Sequence, residues 1–164
     1  MNGIYEIIGT SAISLAALLI GGAYSAYIKR RVREYTAYLE LLELMRRDIS
    51  CSLATSEELG AHAKISMLEE LGFLERLRNG ESLAAAFSSI DGESLLSTTD
   101  RKTLENYFSR FGLGSLDTEL RALESCISEF SSKERTEREG APGRIKLAMT
   151  LLLLFAAAVL VLLI

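Results

Sequence analysis

The chain has 164 residues, 49% hydrophobic yet 24% charged, with a mean hydropathy of +0.21 and a formal net charge of −4. Charge and oil are separated: all 18 Lys and Arg lie between Lys29 and Lys146, with 21 of the 22 acidic residues, so apolar ends flank a charged middle of net charge −3. This pattern excludes a purely cytosolic globular protein, a polytopic transporter and a disordered tail, and an acidic middle argues against a nucleic-acid partner.

In chain order, Ile7 to Ile28 gives 22 uncharged residues between Glu6 and Lys29. At 1.5 Å per residue they extend about 33 Å, enough for a bilayer core of roughly 30 Å. A cleavable signal peptide would carry its basic residues before the apolar run, whereas here they follow it. From Val32, apolar residues step by three or four through Tyr35, Leu39, Leu42, Met45, Ile49 and Leu53, one stripe of a helix continuous with the first span. Thr55 and Glu58 fit a capping box for a helix that begins near Ser56 and carries its apolar pattern to Leu77. Asn79-Gly80 suits a left-handed cap with positive φ at Gly80, and Ser82 starts a short helix burying Leu83, Ala86 and Phe87. Asp91-Gly92 reads as a turn. Thr98 or Thr99 then caps a helix carrying Leu104, Tyr107, Phe108 and Phe111, which Gly112-Leu113-Gly114-Ser115 breaks. The last stripe is Leu116, Leu120, Leu123, Ile127 and Phe130, on a helix continuing through the sign-alternating run Lys133–Glu139, read as a solvated face, towards Gly140. Leu147 to Ile164 adds 18 residues with one polar group, Thr150, about 27 Å of helix.

The expected fold is all-α: an antiparallel helical bundle of five or six helices held between two terminal transmembrane helices. Its parts are an N-terminal transmembrane helix over 1–28, a cytoplasmic helical domain over 29–144 and a C-terminal transmembrane helix over 145–164. Lys29, Arg30, Arg31 and Arg33 follow the first span, and Arg144 and Lys146 precede the second, so the positive-inside rule places the middle in the cytoplasm and both termini outside. Ala17, Gly21 and Ser25 recur at intervals of four on the first span. They permit close helix approach in lipid, against ordinary lipid-facing packing, and leave a homo-oligomer open.

Catalytic chemistry is not legible. His62 is the one histidine and reads as structural. Cys51 and Cys126 lack CxxC spacing and read as reduced packing residues. Scattered carboxylates such as Glu57, Glu58, Glu69 and Glu70 read as a solvated face. No phosphate-cradling loop, cofactor motif or metal-ligand spacing is present in the sequence. The expectation is a non-enzymatic protein with no cofactor.

The whole plan resembles the stage III sporulation protein AB family of endospore-forming bacteria. An N-terminal span leads into a basic cluster and a long amphipathic helix, a helical domain follows, and an apolar span ends in Leu-Leu-Ile. Leu41–Ile49 is similar to the family's first cytoplasmic helix, and Phe111–Asp117 resembles its Phe-Gly, Leu-Gly-Ser and Asp elements. Leu77–Phe87 is similar to the turn of the type II secretion F domain found in pilus platform proteins, where one helix ends at glycine and the next starts at serine. The resemblance implies a membrane component of the channel complex between mother cell and forespore. It would lie in the outer forespore membrane with its soluble domain on the mother-cell side. Implied partners are the membrane, a secretion-type ATPase (stage III sporulation protein AA) and other stage III proteins, with Arg78, Gly80 and Ser82 as the partner-docking corner. The alternatives are a platform-type component of a pilus or Tad secretion system and a membrane-anchored helical signalling adaptor.

Overall fold

The computed structural model describes residues 2–51 and 56–163. Among these, seven helices and no strand are present: α1 (Asn2–Cys51), α2 (Ser56–His62), α3 (Ser66–Glu70), α4 (Phe73–Arg78), α5 (Leu83–Ser89), α6 (Thr98–Arg110) and α7 (Leu116–Leu163). Contacts divide the chain into two units, Arg31–Thr136 and the pair of terminal segments Met1–Arg30 with Glu137–Ile164.

The central unit is built from the stripes read in the sequence. Tyr35, Leu42, Met45 and Ile49 of α1 are buried, and so are Leu104, Tyr107 and Phe108 of α6 and Leu123 and Phe130 of α7. Four rings close a cycle at its centre. Tyr38 meets Phe73 (6.3 Å between centroids) and Phe87 (5.6 Å), and Phe108 meets the same two (6.2 and 5.3 Å). One ring comes from each of α1, α4, α5 and α6. Aromatic pairs at such separations add about 0.5–1.5 kcal/mol each beyond their burial, so the cycle fixes four helices against one another.

The one helix expected from Ser56 to Leu77 is three. Residues 63–65 interrupt it, and Gly72 adopts φ +71° before α4. The reversal lets α2 lie on α4 at Gly60, where an added Cβ would sit 2.8 Å from the Leu77 Cβ and 2.9 Å from the Arg78 nitrogen. Apolar spacing alone does not register that break, because each short helix keeps its apolar face on the same core. Thr55 and Leu53 lie outside the described residues, as do the side chains of Cys51 and Ser56. The α6 cap is Ser97, whose Oγ accepts from the Asp100 N–H (3.1 Å), not Thr98 or Thr99. Leu116, expected inside, is 48% exposed. The helix beyond Phe130 does not stop near Gly140: α7 runs through Pro142 to Leu163.

The second unit pairs the start of α1 with the end of α7. Gly21 is buried, and a Cβ there would collide with the Met149 sulfur. Ala17, Met149, Leu152 and Ala156 line a small apolar cleft of about 180 Å3 beside it. Pro142 lacks the N–H that a helix would use at that turn. Arg144 spans the same turn, donating to the Glu137 carbonyl (3.2 Å) and carboxylate (2.6 Å). The outward side chains are oily: Leu15, Leu18, Leu19 and Ile20 on α1 and Leu151, Leu153, Leu154 and Phe155 on α7 are all more than half exposed. Among the described residues, α7 is the helix long and apolar enough to cross a membrane. Within the first predicted span, the side chains of 7–11, 13 and 14 lie outside the described residues.

Candidate functional site

Three features of the central unit carry polar structure or an open surface: the Arg78–Phe87 corner, a buried polar node and the α6–α7 loop. At the corner, Gly80 has φ +83° and the Ser82 Oγ accepts from the Ala85 N–H (3.2 Å), the geometry that Asn-Gly and Ser imply. Arg78 is exposed but engaged within its own fold. Its Nε donates to the Gly60 carbonyl (2.8 Å) and its Nη2 to Glu69 (2.8 Å), tying α4 to α2 and α3. Arg101 lies over the Phe87 ring (5.2 Å) and pairs with Asp91 (2.6 Å), bracing the far end of α5.

The node is absent from the sequence reading. Asp100 is 5% exposed and accepts from the Tyr35 hydroxyl (2.6 Å), the Ser97 hydroxyl (2.6 Å) and the Lys133 ammonium. It therefore joins α1, α6 and α7. Burial would raise the Asp100 pKa, but the hydrogen bonds from Lys133, Ser97 and Tyr35 outweigh it and hold the carboxyl below its ordinary value. The hydrogen bond to Asp100 raises Lys133 in turn. Nearby, fully buried Glu34 accepts from the Ser94 hydroxyl (2.5 Å) and the Leu95 N–H (2.7 Å), pinning the loop before α6 to α1. Glu134 is also buried and accepts from the Thr36 hydroxyl (3.2 Å). The run Lys133–Glu139 is thus not simply a solvated face: its first turn packs on α1 and α6.

The α6–α7 loop is held rather than loose. Gly112 takes φ +83°, and the Glu119 carboxylate accepts from both the Gly112 N–H (3.1 Å) and the Gly114 N–H (3.0 Å). Leu113 at the tip is 81% exposed. Beside it is an open cleft of about 420 Å3, lined by Asn106, Tyr107, Arg110, Leu113, Glu119 and Ala122 among others.

Of the basic residues read for topology, Lys29, Arg30, Arg33 and Lys146 are exposed, Arg31 lies over the Tyr35 ring (5.9 Å), and Arg144 is engaged by Glu137. His62 is exposed, its Nδ1 donating to the Glu58 carbonyl (2.9 Å). Cys126 is buried, and burial pushes its thiol up to about 11, which leaves it unreactive at neutral pH. No three His, Cys, Asp or Glu side chains gather as a metal site among the described residues.

Taken together these are the features of an all-helical protein with an ordered charged unit and a long apolar helix. The family model for stage III sporulation protein AB matches residues 6–164, and the chain belongs to that family. Membership implies a role in sporulation and suggests association with the stage III sporulation complex, in a family of generally non-enzymatic components. No curated protein and no solved structure matches the chain.

Proposed function

We propose that the protein is a non-enzymatic membrane component of the mother cell–forespore channel complex, and that its helical unit docks a secretion-type ATPase on the cytoplasmic side. The carrying observation is the family match over nearly the whole chain. Two physical features support it. The terminal segments expose leucines, isoleucine and phenylalanine, as lipid-facing helices do, while the unit between them buries its apolar residues. Tyr24 and Tyr27, stacked at 6.5 Å just before Lys29, suit a membrane–water boundary. In this reading both terminal helices span the bilayer. Lys29, Arg30, Arg31, Arg33, Arg144 and Lys146 set the orientation, and the domains follow the 1–28, 29–144 and 145–164 division.

The Arg78, Gly80 and Ser82 corner fixes the angle between α4 and α5 and so orders the docking surface. A β-branched residue at the positive φ of Gly80 is strained by about 1–2 kcal/mol, with open space around the site. Gly80→Val should therefore shift that angle before it unfolds the unit. The test is co-purification of full-length chain with the ATPase, wild type against Gly80→Val, with thermal stability and membrane insertion measured on the same preparations. Reduced ATPase recovery with near-normal insertion and melting is expected. Undiminished recovery by a folded variant would remove the corner from the docking role, and parallel loss of binding and stability would reduce it to a folding element.

A further inference from the structure

The cleft between the start of α1 and the end of α7 is apolar throughout, lined by Ala17, Leu18, Met149, Leu152, Leu153 and Ala156. Its rim is open, with Leu18 59% and Leu153 63% exposed. Helical spacing carries that rim to two cations. Lys146 lies seven residues before Leu153 and Lys29 eleven after Leu18, two and three turns of helix, so each lysine shares a face with its leucine. Gly21 meets Met149 while Ala17 and Leu18 share the cleft with Leu152, Leu153 and Ala156, so the two helices run antiparallel here. Both lysines therefore lie towards the same end of the cleft, about 10.5 and 16.5 Å along the axis from their leucines. Gly22, four residues after Leu18, has nothing within 4 Å of an added Cβ, so the rim stays open towards them. Both lysines are exposed, and neither has an ion pair among the described residues.

We propose that this cleft holds an acyl chain of an anionic phospholipid, whose net negative headgroup pairs with Lys29 and Lys146. The inference rests on the two-span reading proposed above and adds a lipid selectivity to it. In that reading the rim faces the bilayer, where lipid is the solvent, so an acyl chain fills the cleft and the lysines choose the headgroup. Size and charge weigh against another helix. A helix with its side chains is about 10–12 Å across, so a cleft of about 180 Å3 admits a side chain but not the helix. A second copy inserted the same way would hold matching residues at matching depth, setting Lys29 and Lys146 against their own counterparts. The carboxylates at this end do not relieve that repulsion. Glu137 is paired with Arg144, and Glu139, also engaged, lies seven residues from Lys146, about 10.5 Å along the helix.

The test is native mass spectrometry of full-length chain released from micelles doped with equal amounts of phosphatidylglycerol and phosphatidylcholine, which reads bound lipid and oligomeric state together. Wild type should retain phosphatidylglycerol over phosphatidylcholine by about fivefold or more. Lys29→Gln combined with Lys146→Gln should remove most of that preference. Arg30→Gln, the next residue but about 100° further round the helix, should keep it. Gly22→Leu fits the open space beside its backbone and should lower retention of both lipids by narrowing the track. No preference in wild type, an equal loss in Arg30→Gln, or unchanged retention by Gly22→Leu overturns the proposal and leaves the two-span topology standing. A lipid-free dimer that Gly22→Leu dissociates would assign the rim to self-association and overturn it. Reporter fusions at Gly92 and Ile164 that report one compartment overturn the topology, and the proposal with it.

Discussion

Replacing Asp100 with alanine should loosen three helices at once. The carboxylate is 5% exposed and accepts from Tyr35, Ser97 and Lys133, so its removal takes an acceptor from α1, from the α6 cap and from α7. A neutral hydrogen bond contributes about 1 kcal/mol net, and one to a charged group about 1.5–3 kcal/mol. Lys133 keeps 37% of its side chain in solvent and can rehydrate, so its share is at the low end. The Tyr35 hydroxyl still receives the Ser97 N–H (3.3 Å), but its own hydrogen loses the acceptor, so its share is that of one hydrogen bond to a charged group. The balance is a destabilisation of about 3 kcal/mol, or roughly 12–24 °C in melting temperature for a unit near 100 residues. Melting should be followed by thiol labelling of buried Cys126 in a Cys51→Ser background, because the terminal helices would dominate circular dichroism in detergent. Lys133→Met should cost less than Asp100→Ala, since Tyr35 and Ser97 stay bonded. A variant Asp100→Ala that melts within about 3 °C of its parent would refute the node as a clamp.

The same node sets a pH dependence. The Asp100 pKa is lowered on folding, so its contribution is present above the unfolded value, about 3.9, and is lost as pH falls through the folded one. The Lys133 pKa is raised, so its contribution is complete below about 10.4 and is lost as pH rises through the folded value. The stability gap between parent and Asp100→Ala should therefore be flat near neutrality and narrow at both extremes. Gly60→Ala should destabilise by about 1–3 kcal/mol, because its Cβ meets Leu77 and the Arg78 backbone, and a melt showing no loss would contradict the close approach of α2 and α4. Reporter fusions near Gly92 and at Ile164 should report opposite compartments, and an external signal at Gly92 would reject the proposed orientation. His62→Ala combined with Cys51→Ser should leave sporulation largely intact at normal protein level. Loss of function in that stable double variant would reopen an enzymatic role.

Helical content and most of the core were legible because three-to-four spacing of apolar residues survives in every long element. Tyr35, Leu42, Met45, Leu104 and Phe130 all face inward as their stripes require. The split of 56–77 was not legible from spacing, although Gly60 and Gly72 inside one apolar pattern were a usable signal: one permits close approach and the other a left-handed turn. The node was hidden for a different reason. Asp100, Lys133 and Glu34 are residues that ordinarily face water, and only tertiary packing buries the carboxylates. The Ser97-x-x-Asp100 spacing, a capping pattern, was the one local clue to where α6 begins.

The order of dependence within the central unit follows from helix length. Helices α2 to α5 have five to seven residues each, far below the roughly 12–15 at which isolated helices become marginal in water. They persist because Leu59, Met67, Phe73 and Phe87 bury against the stripes of α1, α6 and α7. The corner at Gly80 is therefore only as well defined as the core beneath it, and damage to the core must reach the corner. The α6–α7 loop is different: its Gly112 and Gly114 amides are held locally by Glu119, five residues or more along the chain, and its tip contributes nothing to burial. The order of that loop thus does not depend on the core as the order of the corner does. A substitution at Asp100 should therefore reach the corner through stability, whereas one at exposed Leu113 should leave the melting temperature near that of its parent.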